Sequence, residues 1–300
     1  KGQNLSNKDL TGTVLRGVNL TDANITGVDL AGKDLTGAVL KGQNLSNKDL
    51  TGTVFDDADL TDAILPDHLS ENNFSRATLN GVDLSGKDLS NSDFSHSKLD
   101  GANMKNADLT GAKFVDVDFT KIKNKSLAGA DLYQASFAYS NLFGVSLDGA
   151  ILSENNFQKA NLSGIDFTVV SNASIYGSIF HQADLSNANF EGMSLFDNKV
   201  WVQSCQIGKD NCQADWADKS NYELTQILYS SFANKIVIGK EIVGNELVIR
   251  LIFVNNFNSA DLSGANFSST NLSVMQLPNA NLRNADLRNA DLTNANLRNA

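Results

Sequence analysis

The sequence is poor in the residues that mark many enzymes and disulfide-rich folds. It has two prolines, two cysteines and three histidines among 300 residues. Two cysteines cannot build a disulfide framework, and Cys205 and Cys212 lack the CxxC spacing of a redox or zinc motif. A local disulfide between them would need an oxidising compartment. The scattered histidines His68, His96 and His181 indicate no metal cluster.

Charge and hydropathy exclude further classes. The 24 basic and 34 acidic residues give a net charge of −10, which disfavours a general binder of nucleic acids or anionic membranes. No apolar run reaches the roughly 18 residues that span a bilayer. The first residues lack the charged-then-apolar pattern of a signal peptide. We expect no membrane span, and a cytoplasmic location unless a flanking signal precedes Lys1.

Sequence motifs of catalysis and of ligand binding are also missing. The sequence contains no G-x-S-x-G elbow, phosphate-binding loop, dinucleotide fingerprint or metal-binding motif. The many aspartates are explained by a repeat that places Asp or Asn at one fixed position. We therefore predict a protein that is not an enzyme, with no catalytic residue, no cofactor and no metal.

What the sequence does contain is a five-residue repeat, clearest in residues 280–300, ANLRNADLRNADLTNANLRNA. The small residue and the Leu are two apart, so in an extended segment they share a face and the Asn or Asp between them points the other way. Because five is odd, the chain must turn within each unit to keep every Leu inward. Pairs such as Arg-Asn, Ser-Gly and Thr-Gly supply that turn. The pattern predicts a solenoid of coils about 4.8 Å apart, joined by parallel backbone hydrogen bonds.

The repeat covers most of the chain, and residues 1–14 recur letter for letter at 41–54. A shift of eight units fits two coils of four units each, although other coil sizes are compatible with it. These A(D/N)LXX units resemble the pentapeptide-repeat family. The resemblance implies an all-β fold, a right-handed four-sided parallel β-helix of about twelve coils, interrupted here by one α/β insert.

The register of the repeat breaks three times before the insert. Pro66 removes one residue, so that Phe74 follows Leu65 by nine positions instead of ten. Residues 120–126 add three residues and carry alternating lysines, and a second addition of three lies between Phe167 and Ile175. The lysines form a candidate basic loop that could contact an acidic partner, although a solvated bulge is the simpler interpretation. They are Lys121, Lys123 and Lys125.

Two charge patterns concern the solenoid before the insert. With four-unit coils, Asp9, Asp29 and Asp49 stack in one outward column, a candidate acidic face. Four lysines occupy the position that normally holds an inward Ala, Val or Thr, and a buried unpaired ammonium is costly. Either their heads reach solvent at a corner or the interior holds an ion pair or a bound anion. These lysines are Lys8, Lys33, Lys48 and Lys87.

The chain therefore divides into a solenoid at 1–195, a non-repetitive insert at 196–256 and a continuation of the solenoid at 257–300. Within the insert, residues 220–235 have helical spacing of apolar residues, and a β-hairpin is predicted after them. The insert holds the candidate partner-binding residues, which either anchor a partner or fix the insert to the solenoid. They are Trp201, Trp216, Tyr222 and Tyr229.

Three functions stay open at this point. The first is a non-enzymatic scaffold for protein–protein interaction, with specificity in the insert and the loop breaks and a protein partner of unknown identity. The second, implied by the family resemblance, is an acidic DNA-mimicking inhibitor or protector of a type II topoisomerase such as gyrase. The third is a spacer or localisation domain of a larger protein. No direct nucleic-acid binding is expected. We expect the last coil to be covered by residues beyond Ala300, by another domain or by a second copy.

Overall fold

The computed structural model describes residues 2–171, 174–195, 201–206, 235–243 and 246–300, with the backbone alone for the segments within 201–253. The repeat forms a stack of coils joined by parallel bridges. Asn4 pairs with Asn24 and Asn19 with Val39, so one coil takes twenty residues, or four units. The coil size that the sequence left open is therefore fixed by the pairing.

The four units of a coil give the solenoid four faces, which we number by their inward residues. Face 1 begins with Leu5, face 2 with Leu10, face 3 with Leu15 and face 4 with Leu20. The inward residue of each unit packs on its counterparts in the coils above and below, and together they form one continuous core. Every coil thus depends on its neighbours for burial, as expected of a solenoid.

Each corner is a tight turn whose residues follow from the unit. In the unit Asp34-Leu35-Thr36-Gly37, the Thr36 N–H donates to Asp34 Oδ1 at 3.0 Å. Gly37 has φ of 66°, and the Ala38 N–H closes the turn on the Leu35 carbonyl at 2.9 Å. A positive φ at the third position of a four-residue turn favours Gly and Asn, although other residues such as Tyr139 and Val274 also adopt it here. The outward Asp or Asn is therefore part of the corner itself.

Face 3 carries a ladder of stacked phenylalanines in the core. Successive ring centroids are 4.9 to 5.3 Å apart, close to the spacing of the coils. A second ladder on face 1 joins Phe167, Phe190 and Phe267 at 4.8 Å. The rings of both ladders are buried in the core. The face 3 ladder consists of Phe55, Phe74, Phe94, Phe114, Phe137, Phe157, Phe180 and Phe257.

The register breaks are changes in the length of single coils. Val54 pairs with Asn73, so the coil around Pro66 is one residue short. Leu69, which the spacing argument had passed over, is buried and supplies the inward residue between Leu65 and Phe74. Asp108 pairs with Asp131, which gives the next long coil twenty-three residues. Asn156 with Ile179 shows the same for the break after Phe167.

The insert contributes a three-stranded antiparallel sheet in the order β1-β3-β2. The strands are β1 (Trp201–Gln206), β2 (Lys235–Val243) and β3 (Glu246–Phe253). The two β-branched runs assigned to a hairpin from the sequence lie in β2 and β3, which pair with an irregularity between Val237 and Gly239. The helix predicted for 220–235 falls outside the described residues, except that Lys235 begins β2.

Candidate interaction surfaces

The outward side of face 2 carries a longer acidic column than the sequence argument gave. Parallel bridges join His68 to Asp88, Asp88 to Asp108 and Asp108 to Asp131. The twenty-residue coil places the three predicted aspartates on the same face. The one-residue deletion at Pro66 hid this continuity in the sequence. The residue numbers of the later column members no longer differ from those of the earlier ones by multiples of twenty. The acidic column consists of Asp9, Asp29, Asp49, Asp88, Asp108 and Asp131, with His68 in the middle.

Carboxylates of the acidic column also accept hydrogen bonds within their own corners. Asp9 Oδ1 accepts the Thr11 N–H at 2.8 Å, and Asp49 Oδ1 accepts that of Thr51 at 2.9 Å. Hydrogen bonds from the side chain and backbone of Thr11 lower the pKa of Asp9, and those of Thr51 lower the pKa of Asp49. The lowered pKa values keep Asp9 and Asp49 ionised at neutral pH, and turn formation alone already explains why aspartate is present.

Cations offset part of the negative charge on the other faces. Arg16 lies 3.5 Å from Asp34, and Arg76 pairs with Asp56. Lys121 lies 3.9 Å from Asp100. On face 2 itself, His68 Nδ1 is 3.8 Å from Asp88. The acidic column is therefore the longest run of like charges that a single described face presents.

Lysines at equivalent inward positions of face 2 have ammonium groups with different surroundings. Lys48 Nζ donates to the Ile25 carbonyl at 2.7 Å and to the Val28 carbonyl at 2.8 Å, both one coil below. Lys87 Nζ instead donates to the Asp67 carboxylate at 2.9 Å. Lys8, in the first coil, is exposed. Lys8 thus reaches solvent and Lys87 pairs with an exposed carboxylate, whereas Lys48 binds backbone carbonyls, which neither interpretation had included.

The candidate basic loop is a structured corner between faces 4 and 1. It contains two 3-10 turns, Phe119–Lys121 and Lys123–Lys125. Ile122 between them is buried at 3% exposure and anchors the loop to the core. The three lysines at 121, 123 and 125 are all exposed. The loop therefore presents its cations from a fixed backbone.

An exposed aromatic residue lies directly beside this loop. Asp118 bridges to Asn141, so Phe143 stands one coil above Thr120 at the same corner. Phe143 is 52% exposed. At the next corner the ring of Tyr139, 51% exposed, lies 5.2 Å from Lys159 Nζ. Two exposed aromatic rings thus lie at the corners that flank face 4, and aromatic residues are enriched in protein interfaces.

One buried side-chain amide, that of Asn255, joins the two ends of the insert at the solenoid. Asn255 Nδ2 donates to the Leu195 carbonyl at 2.8 Å, and Asn255 Oδ1 accepts the Ser178 N–H at 3.0 Å. Leu195 is the last solenoid residue before the insert, so this side chain ties its exit to its return. The predicted insert boundary at 256 includes Asn255, which the structure assigns to the solenoid. The sequence signal was available, because Asn-Asn-Phe also occurs at 72–74 and 155–157.

The candidate partner-binding residues of the insert are only partly covered. Trp201 begins β1, where its backbone lies opposite Leu251. The side chain of Trp201 falls outside what the structure describes, as do Trp216, Tyr222 and Tyr229. Their role in binding a partner stays a prediction.

Two other kinds of site have no counterpart among the described residues. They contain no group of three or more His, Cys, Asp or Glu side chains placed to share a metal ion. No helix in that part of the chain has the length and hydropathy of a membrane span.

Coils of four pentapeptide units around a leucine and phenylalanine core define a class of repeat solenoid. The family model of pentapeptide repeats matches the chain in eight copies, so the chain belongs to the pentapeptide-repeat family, whose fold is a right-handed β-helix. The match covers residues 1–32, 34–67, 88–123, 126–168, 169–195, 255–273 and 275–300.

Solved structures of the same family are similar to the chain. HetL, involved in heterocyst differentiation regulation in the cyanobacterium Nostoc sp. strain PCC 7120, is 22% identical over 99% of this chain and 87% of its own, with a TM-score of 0.30. QnrB1, a plasmid-mediated fluoroquinolone resistance protein, is 16% identical over 87% of this chain and 92% of its own, also with 0.30. These TM-scores are low, and the family assignment depends on the repeat match. No curated protein matches the chain.

Proposed function

We propose that this protein is a non-enzymatic scaffold for protein–protein interaction, whose specificity lies in the insert and in the loop breaks. The observation that carries the proposal is the continuity of the core across the insert. Phe180 stacks on Phe257 at 4.9 Å and Phe190 on Phe267 at 4.8 Å. The solenoid thus holds a large non-repetitive segment at one corner without any change of its own register.

Such an arrangement separates support from recognition. The regular coils are fixed by their neighbours, and a corner can accept an insertion because surface loops tolerate added residues. The basic loop with Phe143 is a second departure of the same kind, anchored by Ile122. The protein partner itself is not identified by any of these contacts.

The test is a replacement of residues 196–254 by Ser-Gly. This restores a normal unit, Leu195-Ser-Gly-Asn255-Asn256-Phe257, which has the form of Leu162-Ser163-Gly164 elsewhere in the chain. We expect the shortened protein to keep the β-rich circular dichroism spectrum of the full chain. In affinity capture from a lysate of the source cells, it should lose the proteins that the full chain retains.

A second variant separates the insert from the basic loop. Glutamine at positions 121, 123 and 125 removes three cations and leaves the insert intact. Proteins that the insert recognises should stay bound to this variant, whereas proteins that the basic loop recognises should be lost. Capture of an unchanged set by both the shortened protein and the glutamine variant would reject the proposal.

A second candidate is inhibition or protection of a type II topoisomerase by imitation of DNA. The acidic column on face 2 favours it, because a straight row of carboxylates on a rod presents regularly spaced negative charge. This candidate predicts that micromolar protein changes the supercoiling activity of gyrase.

Asparagine substitution isolates the charge from the fold. Asp9→Asn, Asp29→Asn and Asp49→Asn together should abolish the effect on gyrase. The fold should be kept, since Asn4 and Asn24 accept the equivalent turn hydrogen bonds at corners of face 1. The control, Asp34→Asn with Asp59→Asn and Asp93→Asn, removes equal charge from other faces and should retain it. An absence of any effect by the unchanged protein rules this candidate out.

A further inference from the structure

A cavity of about 370 Å³ opens at the corner between faces 1 and 2, between the second and third coils. Ile25, Gly27, Asn44 and Asn47 are among the residues around it, and Lys48 lies at its edge. Asparagine side chains and backbone groups contribute polar atoms to its lining beside the apolar side chain of Ile25. The cavity is therefore suited to a small polar ligand.

The cavity contains hydrogen-bond donors without partners. In the first coil, the Leu5 and Asn7 N–H groups donate to the Asn24 and Thr26 carbonyls above them, at 2.8 and 2.7 Å. The equivalent N–H groups of Ile25 and Gly27 face the third coil across the cavity. Neither makes a hydrogen bond to another described residue. Unpaired backbone donors of this kind need water or a ligand.

Lys48 adds a cation to these donors. Its ammonium has three protons, and the Ile25 and Val28 carbonyls accept two of them. The described residues provide no ion-pair partner for it. Burial lowers the pKa of Lys48, an effect that the nearby Asp29 only partly opposes. An ammonium in this position is short of counter-charge.

The equivalent site two coils away contains a carboxylate that the Lys48 cavity lacks. Lys87 occupies the same unit position on face 2 and lines a smaller cavity of about 290 Å³. There the residue one coil below is Asp67, whose carboxylate lies 2.9 Å from the Lys87 ammonium. One coil below Lys48 the corresponding residue is Val28. Among the described residues, the chain thus places a carboxylate in contact with the ammonium at the Lys87 site and none in contact with it at the Lys48 site.

We propose that the Lys48 cavity binds a small oxyanion, such as phosphate or a carboxylate, as the counter-charge that Asp67 provides to Lys87. The ligand oxygen atoms accept from the third proton of Lys48 and from the Ile25 and Gly27 N–H groups. Hydrogen bonds from charged donors and from convergent backbone N–H groups are a common way to hold oxyanions. The site is independent of the proposed scaffold function.

The experiment titrates the full chain with inorganic phosphate at low ionic strength and follows amide chemical shifts. We expect saturable shifts concentrated at Ile25 and Gly27, with isothermal titration giving one site per chain. Sulfate and acetate, as separate arms, distinguish a tetrahedral anion from a carboxylate. Shifts that do not saturate, or that spread over the surface lysines, overturn the proposal.

Three variants test the role of Lys48. Lys48→Met should weaken phosphate binding roughly tenfold or more, since it removes the charge-assisted contact. Lys87→Met is the matched control and should bind as the parent chain does, because its cation is already paired. Val28→Asp places an internal carboxylate below Lys48 and should abolish binding. Unchanged affinity in Lys48→Met would refute the proposal, even if Val28→Asp failed to fold.

Discussion

Replacement of Phe114 by alanine is expected to lower the free energy of unfolding by about 3–5 kcal/mol. The Phe114 ring is fully buried and stacks on Phe94 at 5.1 Å and on Phe137 at 5.3 Å. It also meets the edge of Phe119 at 5.2 Å. A truncation here leaves a cavity and removes three aromatic contacts at once, and rigid neighbouring coils cannot collapse into the space.

Denaturant unfolding followed by circular dichroism measures the loss. Phe143→Ala is the matched control, because Phe143 is 52% exposed and its removal should change stability by no more than about 0.5 kcal/mol. Phe114→Leu should cost less than Phe114→Ala, since leucine fills the same position at Leu15 and Leu35 of face 3. Equal midpoints for Phe114→Ala and Phe143→Ala would show that the ladder does not stabilise the rod.

The second large effect is expected at Asn255. Asn255→Ala removes the partners of two buried groups, the Leu195 carbonyl and the Ser178 N–H. Leaving a buried polar group unpaired costs about 1–3 kcal/mol, so the loss from both should reach several kcal/mol. We also expect faster hydrogen exchange at the Ser178 amide, because that proton is held by Asn255 Oδ1.

The same substitution in the Ser-Gly protein tests whether Asn255 acts by closing the insert. With a normal corner, the Asn255 backbone N–H can donate to the Leu195 carbonyl, as the Ala38 N–H does to Leu35. The side chain is then less needed, and its loss should cost less than in the full chain. Asn281→Ala, at an exposed corner, is the control for loss of an asparagine side chain. Equal costs in the two backgrounds would contradict a closing role.

Much of the fold could be predicted from the unit alone. Alternation of Ala, Asp and Leu fixes which side chains face inward, and Thr-Gly or Arg-Asn pairs mark the corners, because few residues adopt the positive φ needed there. The three breaks before the insert were also visible as changes of spacing. These features are local, so they can be read from a few neighbouring residues.

The candidate site could be predicted only in part. Asp9, Asp29 and Asp49 were identified as a column, but its extension through Asp88 to Asp131 depends on how the shortened coil at Pro66 pairs with its neighbours. The different partners of Lys48 and Lys87 depend on the residue one coil below. For Trp216, Tyr222 and Tyr229 the arrangement in the insert stays a prediction.

By itself the sequence determined the repeat, the inward residues, the corners and the location of the insert, since each depends on contacts within one or two units. Only the tertiary structure decided which residues meet across coils. Residues some twenty positions apart become neighbours once the coil length is fixed, and a coil that is one residue short or three residues long changes every pairing after it. The Phe114 ladder, the Asn255 closure and the cavity beside Lys48 are all products of that stacking.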